Sequence, residues 1–138
     1  MNTESMSALT IRQPWAWFIV NGHKDIENRT WKPSDARIGQ RFWVHASQRR
    51  LTRADFDEFL GTVRALHIKR HPKSIDDFDY GAIVGSAVIE EVVRGSKSFW
   101  AFPGNHHWVL GRARRCTPKK RKGQLGFFKV KTVSARRS

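Results

Sequence analysis

The stretch Ile11–Trp31, IRQPWAWFIVNGHKDIENRTW, holds the signals that decide how the chain begins to fold. Pro14 suits the first position of a helix, because its fixed φ and missing N–H cost nothing there. Gly22 is a typical helix stop, so the sequence predicts a short helix over Trp15–Asn21. From Asp25 to Trp31 two sets of side chains alternate, which indicates a strand. The stretch therefore predicts a short helix followed closely by a strand.

The other elements can be placed outward from this stretch. A longer helix is predicted from Arg53 to about Ile68, because apolar residues recur at helical spacing and Thr52 with Asp55 forms a capping pair at its start. Alternation or β-branched composition predicts further strands over residues 8–12, 40–47, 82–93, 107–115 and 126–133. Five or six short strands with two helices predict an α+β fold, a small β-barrel or half-barrel.

The positive charge of the chain is concentrated in its last third. The 138 residues include 26 Lys and Arg against 12 Asp and Glu, a formal net charge of +14. Residues 1–91 carry 13 cationic and 12 acidic side chains, whereas residues 92–138 carry 13 cationic and no acidic ones. This balance argues against a catalyst for cationic substrates and favours a polyanionic partner, either nucleic acid or an anionic membrane.

Seven of the eleven residues of Arg112–Lys122 (RARRCTPKKRK) are basic, and we call this segment the basic run. It is interpreted either as a solvated loop or as a phosphate-binding patch, and the aromatic residues on both sides favour the patch. Pro118 prevents one continuous amphipathic helix, which argues against membrane binding. The predicted phosphate contacts are Arg112, Arg114, Arg115, Lys119, Lys120, Arg121 and Lys122.

Metal, disulfide and membrane signals are weak in this sequence. Cys116 is the single cysteine, so no internal disulfide or thiolate-rich zinc site is possible. Nearby cations are expected to depress its pKa, but we interpret it as incidental. His106 and His107 would point to opposite faces of a strand. We expect no metal, no cofactor, no signal peptide, no membrane segment and a cytoplasmic monomer.

Two strings, Ile11–Trp17 (IRQPWAW) and Gly22–Trp31 (GHKDIENRTW), resemble the ASCH domain, the activating signal cointegrator homology domain. Later segments fit the same pattern, at residues 39–47, 81–91, 106–110 and 123–130. The resemblance implies one PUA-like β-barrel domain with a cleft on one side, at residues 8–133, between an extension (1–7) and a basic tail (134–138). It also implies binding of RNA or other nucleic acid. Some members are ribonucleases or amidohydrolases that deacylate N4-acetylcytidine.

The resemblance can be carried over residue by residue. Lys24 matches the lysine of the amidohydrolase members, and Glu90 or Glu91 matches their later glutamate. Glu27 stands where those members have a threonine nucleophile, so a carboxylate replaces the hydroxyl. The resemblance therefore favours the branch similar to the eukaryotic cointegrator domain, which is associated with nucleic-acid binding rather than hydrolysis.

The chemical properties of the same residues suggest a function independently of the family resemblance. Lys24 and Glu27 are expected to form an ion pair, with Arg29 as a second cation. In a cleft, Glu27 would accept hydrogen bonds from a base amine, and the cations would contact phosphate or a base carbonyl. The alternative is a solvated salt-bridge cluster, typically worth under about 1 kcal/mol per pair. Gln13 either contacts a base edge or caps the following helix.

Aromatic and histidine side chains complete the candidate site. Of the six tryptophans, Trp17 and Trp43 are predicted to lie in the core. Trp15, Trp31 and Trp100 either pack in the core or stack on a base. His45 is either a general base or a structural histidine. The predicted cleft residues are Gln13, Trp15, Lys24, Glu27, Arg29, Trp31, His45, Ser47 and Trp100.

Two function classes follow from these observations. The first is a nucleic-acid-binding module, with RNA favoured over DNA, a cleft for one base and the basic run for phosphates. The second is an enzyme acting on RNA or on a modified nucleoside, with Lys24, Glu27 and His45 as candidate catalytic residues.

Overall fold

The computed structural model describes residues 3–133, which contain six strands, two α-helices and two short 3-10 helices joined by loops. The strands are β1 (Thr3–Ile11), β2 (Ile26–Arg29), β3 (Arg41–Ala46), β4 (Ala82–Val93), β5 (His106–Lys120) and β6 (Phe127–Val133). The helices are α1 (Trp15–Val20) and α2 (Arg53–Ala65). The predicted α+β class is confirmed. β1 includes most of the predicted extension, and the predicted tail, residues 134–138, lies outside the described residues.

The strands form one mixed sheet in the order β2-β5-β4-β3-β1-β6, so β2 and β6 are its two ends. Among the strands that the structure describes, only β1 and β3 pair in parallel, because the chain crosses through α1 and β2 between them. Within residues 3–133 the two ends are not joined by strand pairing, but they curl toward each other. Arg29 Nη2, on β2, donates a hydrogen bond to the carbonyl of Thr10 on β1, at 3.1 Å. The fold is therefore a half-barrel rather than a closed barrel.

Three apolar clusters hold the sheet and helices together. The first fills the curl of the sheet around the fully buried Trp108 and packs against Ala16 and Ile19 of α1. The second lies between α1 and α2 and contains Phe18 and Phe59. The third lies on the strands of the sheet without either helix, at Ala8, Ile83, Phe128 and Val130. Helix α1 is therefore placed between the sheet and α2.

The tryptophan predictions need correction. Trp17 and Trp43 are only partly buried, and each packs beside a core cluster. Trp108 is instead the most buried tryptophan, because it stacks on Phe127 with a ring separation of 5.8 Å.

Short-range signals set the helix ends largely as predicted. Pro14 precedes α1 rather than occupying its first position, and Gly22 follows at φ +81°. The predicted capping pair forms a complete capping box, in which the Thr52 hydroxyl accepts from the backbone of Asp55 at 3.0 Å. Helix α2 ends at Ala65, earlier than predicted. None of the described helices is long and apolar enough to cross a membrane.

Strand β5 is longer than predicted and contains most of the basic run. Between the pairs Gly85↔Arg115 and Ile83↔Lys119, β4 advances by two residues and β5 by four. The extra residues form an irregularity that includes Pro118, which has no N–H for the ladder. The basic run is therefore mostly a strand of the sheet and not a loop.

Candidate functional site

Lys24 is a buried lysine, only 6% exposed, directly before β2. Its Nζ lies 5.2 Å from the centroid of the Trp100 ring. No carboxylate oxygen of the described residues lies within 4.0 Å of this ammonium, and it donates no hydrogen bond to them. The predicted ion pair of Lys24 with Glu27 is therefore wrong. Burial lowers the pKa of Lys24, although the charges of Glu27 and Asp25 oppose this effect.

Glu27 pairs with Arg29 instead. The two residues lie on the same face of β2, because side chains alternate along a strand. Arg29 Nε donates to Glu27 Oε2 at 2.8 Å, and Glu27 is only 7% exposed. Arg29 also donates to the carbonyl of Thr10. Arg29 is thus held by the protein, whereas Oε1 of Glu27 accepts no hydrogen bond from the described residues.

The loop between β4 and β5, residues 94–105, holds Trp100 over Lys24. Asn28 Nδ2 donates to the Trp100 carbonyl at 2.9 Å, and Asn28 Oδ1 accepts from the backbone of Phe102 at 2.8 Å. The Trp100 indole N–H donates to the carbonyl of His23 at 2.8 Å. The aromatic wall of the site is therefore fixed by three hydrogen bonds.

The His107 side chain makes two further hydrogen bonds to the same loop. Its Nε2 donates to the Phe102 carbonyl at 2.6 Å, and its Nδ1 accepts from the backbone of Ser96 at 3.1 Å. The loop presents Phe99 at 66% exposure, beside the Trp100 ring. No sequence pattern indicates these anchors, except that Asn28 alternates with Glu27 and Arg29 and so faces the other side of β2.

A separate small crevice contains three of the predicted cleft residues, Gln13, Trp15 and Trp100. Its volume is about 50 Å³, far below the roughly 300 Å³ of the smaller ligand pockets. Gln13 Oε1 accepts from the backbone of Trp17, and its Nε2 donates to the carbonyl of Asp79, both at 2.9 Å. Gln13 therefore caps α1, the second of its two possible roles. Trp100 links this crevice to Lys24.

Trp31 lies at the curl of the sheet, 38% exposed and edge-on to Trp108 at 5.0 Å. Its ring, which also lies edge-on to Phe127 at 6.1 Å, is therefore partly exposed to solvent. Ser47 lies just beyond β3, where its hydroxyl accepts from the backbone of Arg49 at 3.0 Å.

His45 is a buried histidine with a partner on each ring nitrogen. Its Nε2 lies 2.6 Å from the carbonyl of Arg121, and its Nδ1 lies 3.0 Å from the hydroxyl of Thr10. A carbonyl only accepts, so Nε2 carries the proton and Nδ1 accepts from Thr10. With 1% exposure and both nitrogens occupied, His45 has the structural role rather than that of a general base.

Strand geometry divides the basic run. Arg114 lies on the same side of β5 as the partly buried Arg41, whose pKa is lowered by burial and by the charges of Arg114 and Arg112. Arg115, one residue further, lines a groove on the other side. The predicted single patch is therefore split between two faces of the sheet.

The remaining cations of the basic run follow Arg115 in the sequence and differ in their exposure. Lys119, Lys120 and Lys122 are exposed. Arg121 is half-buried, and its Nη2 donates to the carbonyl of Lys129 at 3.3 Å. No carboxylate of the described residues pairs with any cation of the run. Cys116 was expected to have a depressed pKa, but burial raises it despite the charge of Lys119.

The later glutamates are not brought to Lys24 as ion-pair partners. Glu90 and Glu91 are both exposed on β4, and neither forms an ion pair with a described residue. Residues 3–133 contain no cluster of three His, Cys, Asp or Glu side chains that could hold a metal ion.

Comparisons with known proteins give one clear result. A search of curated proteins found no match to the chain. The family model described as the ASCH domain matches residues 9–134. This range contains every site residue discussed above and nearly the whole chain. The chain therefore belongs to the ASCH domain family.

Proposed function

We propose that this protein binds nucleic acid, RNA in preference to DNA, with one base at Lys24, Glu27 and Trp100 and phosphates on the basic run. The observation that carries the proposal is Lys24, which is only 6% exposed and whose ammonium keeps contact with solvent but has no hydrogen-bond or ion-pair partner among the described residues. A buried charge without a partner is costly in a folded protein. A ligand oxygen would supply the missing partner.

The neighbouring groups fit a nucleobase. Lys24 would donate to a carbonyl oxygen, and Oε1 of Glu27 would accept from an exocyclic amine. Trp100, partly exposed and fixed by its hydrogen bonds, offers a ring on which a base can stack. Cytosine and guanine carry both an amine and a carbonyl, so we expect either of them to bind more tightly than uracil.

The experiment is a titration of fluorescein-labelled 12-nucleotide RNAs, followed by anisotropy at several salt concentrations. Single-strand binding loses roughly 0.7 log units of affinity per log unit of salt for each phosphate neutralised, so four contacts give a slope of about −3. A variant with Lys119, Lys120 and Lys122 changed to Gln should flatten this slope. The control variant changes Arg53, Arg64 and Lys73 to Gln, which also removes three positive charges but from positions outside the basic run.

The site variants test the base contacts separately. Glu27→Gln should reduce the preference for cytosine or guanine over uracil and leave the salt slope intact, because base contacts carry the selectivity. If wild type, the lysine variant and the control all bind RNA with one affinity and one slope, the proposal is refuted.

A hydrolase acting on a modified nucleoside is the second candidate. The lowered pKa of Lys24 favours it, since a lysine that deprotonates more readily can act as a base. The hydroxyl nucleophile of the amidohydrolase members is absent, because Glu27 occupies that position and is engaged by Arg29. Acetate release from N4-acetylcytidine distinguishes the two candidates.

A further inference from the structure

An open groove of about 820 Å³ lies where three separate segments of the chain meet. Its walls are the last residue of α1 with the turn after it (residues 20–23), the segment after α2 (residues 66–70) and two residues of β5, Ala113 and Arg115. This volume is in the range of known ligand sites. The groove contains none of the predicted cleft residues.

Of the described residues that line the groove, three are Lys or Arg and none is acidic. Lys69, Arg70 and Arg115 are exposed, and none of them pairs with a carboxylate of the described residues. Clefts lined by charge of one sign concentrate ligands of the opposite sign. Burial lowers the pKa of His23, so at neutral pH this wall offers a neutral imidazole that can take part in hydrogen bonds. The electrostatics therefore favour an anion with several charges.

His67 forms a corner of the groove in an unusual backbone conformation. Its φ is +58°, in the left-handed region that follows many helices and that glycine adopts without steric cost. The turn is closed by a hydrogen bond from the backbone of Ile68 to the carbonyl of Val63, at 2.8 Å. Histidine therefore occupies a position that glycine would fill more easily, and it brings an imidazole to the groove.

The groove is continuous with the basic run. Arg115 belongs to both, and Lys120 lies further along the same strand. Their partners on β4, Gly85 and Ala82, are three residues apart, so the two cations are about 10 Å apart along the sheet. A single phosphate cannot contact both positions, whereas a strand of a few nucleotides can.

We infer that this groove is a second phosphate-binding site, which holds the backbone of the same nucleic-acid strand beyond the base bound at Lys24. The inference rests on the proposed function and extends it: the strand would pass along the end of β5 and into the groove. Affinity should therefore increase with the length of the strand until the groove is filled.

The test uses 5′-labelled RNAs of 4 and 12 nucleotides. The groove variant changes Lys69 and Arg70 to Gln, and the control changes Arg53 and Arg64 to Gln on α2, outside the groove. We expect the groove variant to lose roughly tenfold in affinity for the 12-mer, with a salt slope reduced by about 1.4, and to bind the 4-mer like wild type. The control should behave like wild type with both RNAs.

NMR spectra show directly which residues of the groove contact the RNA. Amide resonances of His67 and Lys69 in ¹H–¹⁵N spectra should shift with the 12-mer and not with the 4-mer, and the same spectra show whether each variant is folded. If the groove variant equals the control with both RNAs, the groove inference is wrong, while 4-mer binding by the wild type keeps the proposed function. If the wild type binds neither RNA, both fail. Loss of binding by the groove variant only to phosphatidylglycerol vesicles would assign the groove to a membrane surface and overturn the inference.

Discussion

Replacing Lys24 with methionine should make the protein more stable and less able to bind RNA. Methionine keeps a long unbranched side chain and removes a charge from a largely buried side chain whose ammonium reaches solvent but has no partner among the described residues. Removing buried charge in favour of apolar side chains can stabilise a protein by about 1–4 kcal/mol. The lost attraction to the Trp100 ring, 5.2 Å away, offsets about 1 kcal/mol of this gain. Subtracting this loss leaves about 0–3 kcal/mol, and we expect a net gain near the middle of that range, about 1–2 kcal/mol.

The measurement is urea and thermal unfolding at pH 7. A gain of about 1–2 kcal/mol corresponds to a rise of about 3–7 °C in Tm for a chain of this length. Lys97→Met is the matched control, because Lys97 is exposed on the loop between β4 and β5. Its effect should stay within about 0.5 kcal/mol.

The pH dependence gives the prediction a second test. Because the pKa of Lys24 is lowered in the folded protein, the unfolded chain binds this proton more tightly. The charge of Lys24 lowers the free energy of unfolding by its full amount at pH values below the folded-state pKa. This effect disappears as the pH rises to about 10.4, the ordinary pKa of a lysine. The advantage of Lys24→Met should therefore shrink toward that pH. A methionine variant clearly less stable than wild type would refute this account of Lys24.

Three further predictions concern the loop, the cap and the chemistry. Asn28→Ala should lower stability by about 2 kcal/mol, because two hydrogen bonds to the loop are lost, and should speed hydrogen exchange at the Phe102 amide. Asp55→Asn should destabilise the protein at neutral pH and have little effect on stability in acid. Hydrogen bonds from Thr52 lower the pKa of the Asp55 carboxyl below its ordinary value of 3.8, so the stabilisation by this carboxylate is lost as the pH falls through the folded-state pKa. No acetate should be released from N4-acetylcytidine, and turnover abolished by Lys24→Ala would favour the hydrolase.

Local signals in the sequence were sufficient for elements whose limits are set by near neighbours. The capping box of α2 lies within four residues, and Ala82–Val93 is rich in β-branched residues, so helix start and strand were both predictable. The length of β5 was not, because it depends on how its irregularities align with β4.

The candidate site shows the same distinction. The pairing of Glu27 with Arg29 follows from strand alternation and could have been predicted, since the two residues lie two positions apart on β2. The isolation of Lys24 depends on Trp100, which is 76 positions away in the sequence and is held by a hydrogen bond from Asn28 on β2. The groove also brings together three distant segments, so no local pattern indicates it.

The half-open sheet has a consequence for the behaviour of the protein at high concentration. A free strand edge offers unpaired backbone groups to a second copy. At the β6 edge, Lys129 and Lys131 are exposed and alternate with the buried Phe128 and Val130. Two copies that met edge to edge would bring these lysines together, so charge repulsion keeps them apart. Added salt screens exposed charges, and concentrated solutions should therefore aggregate more readily at high ionic strength than at low.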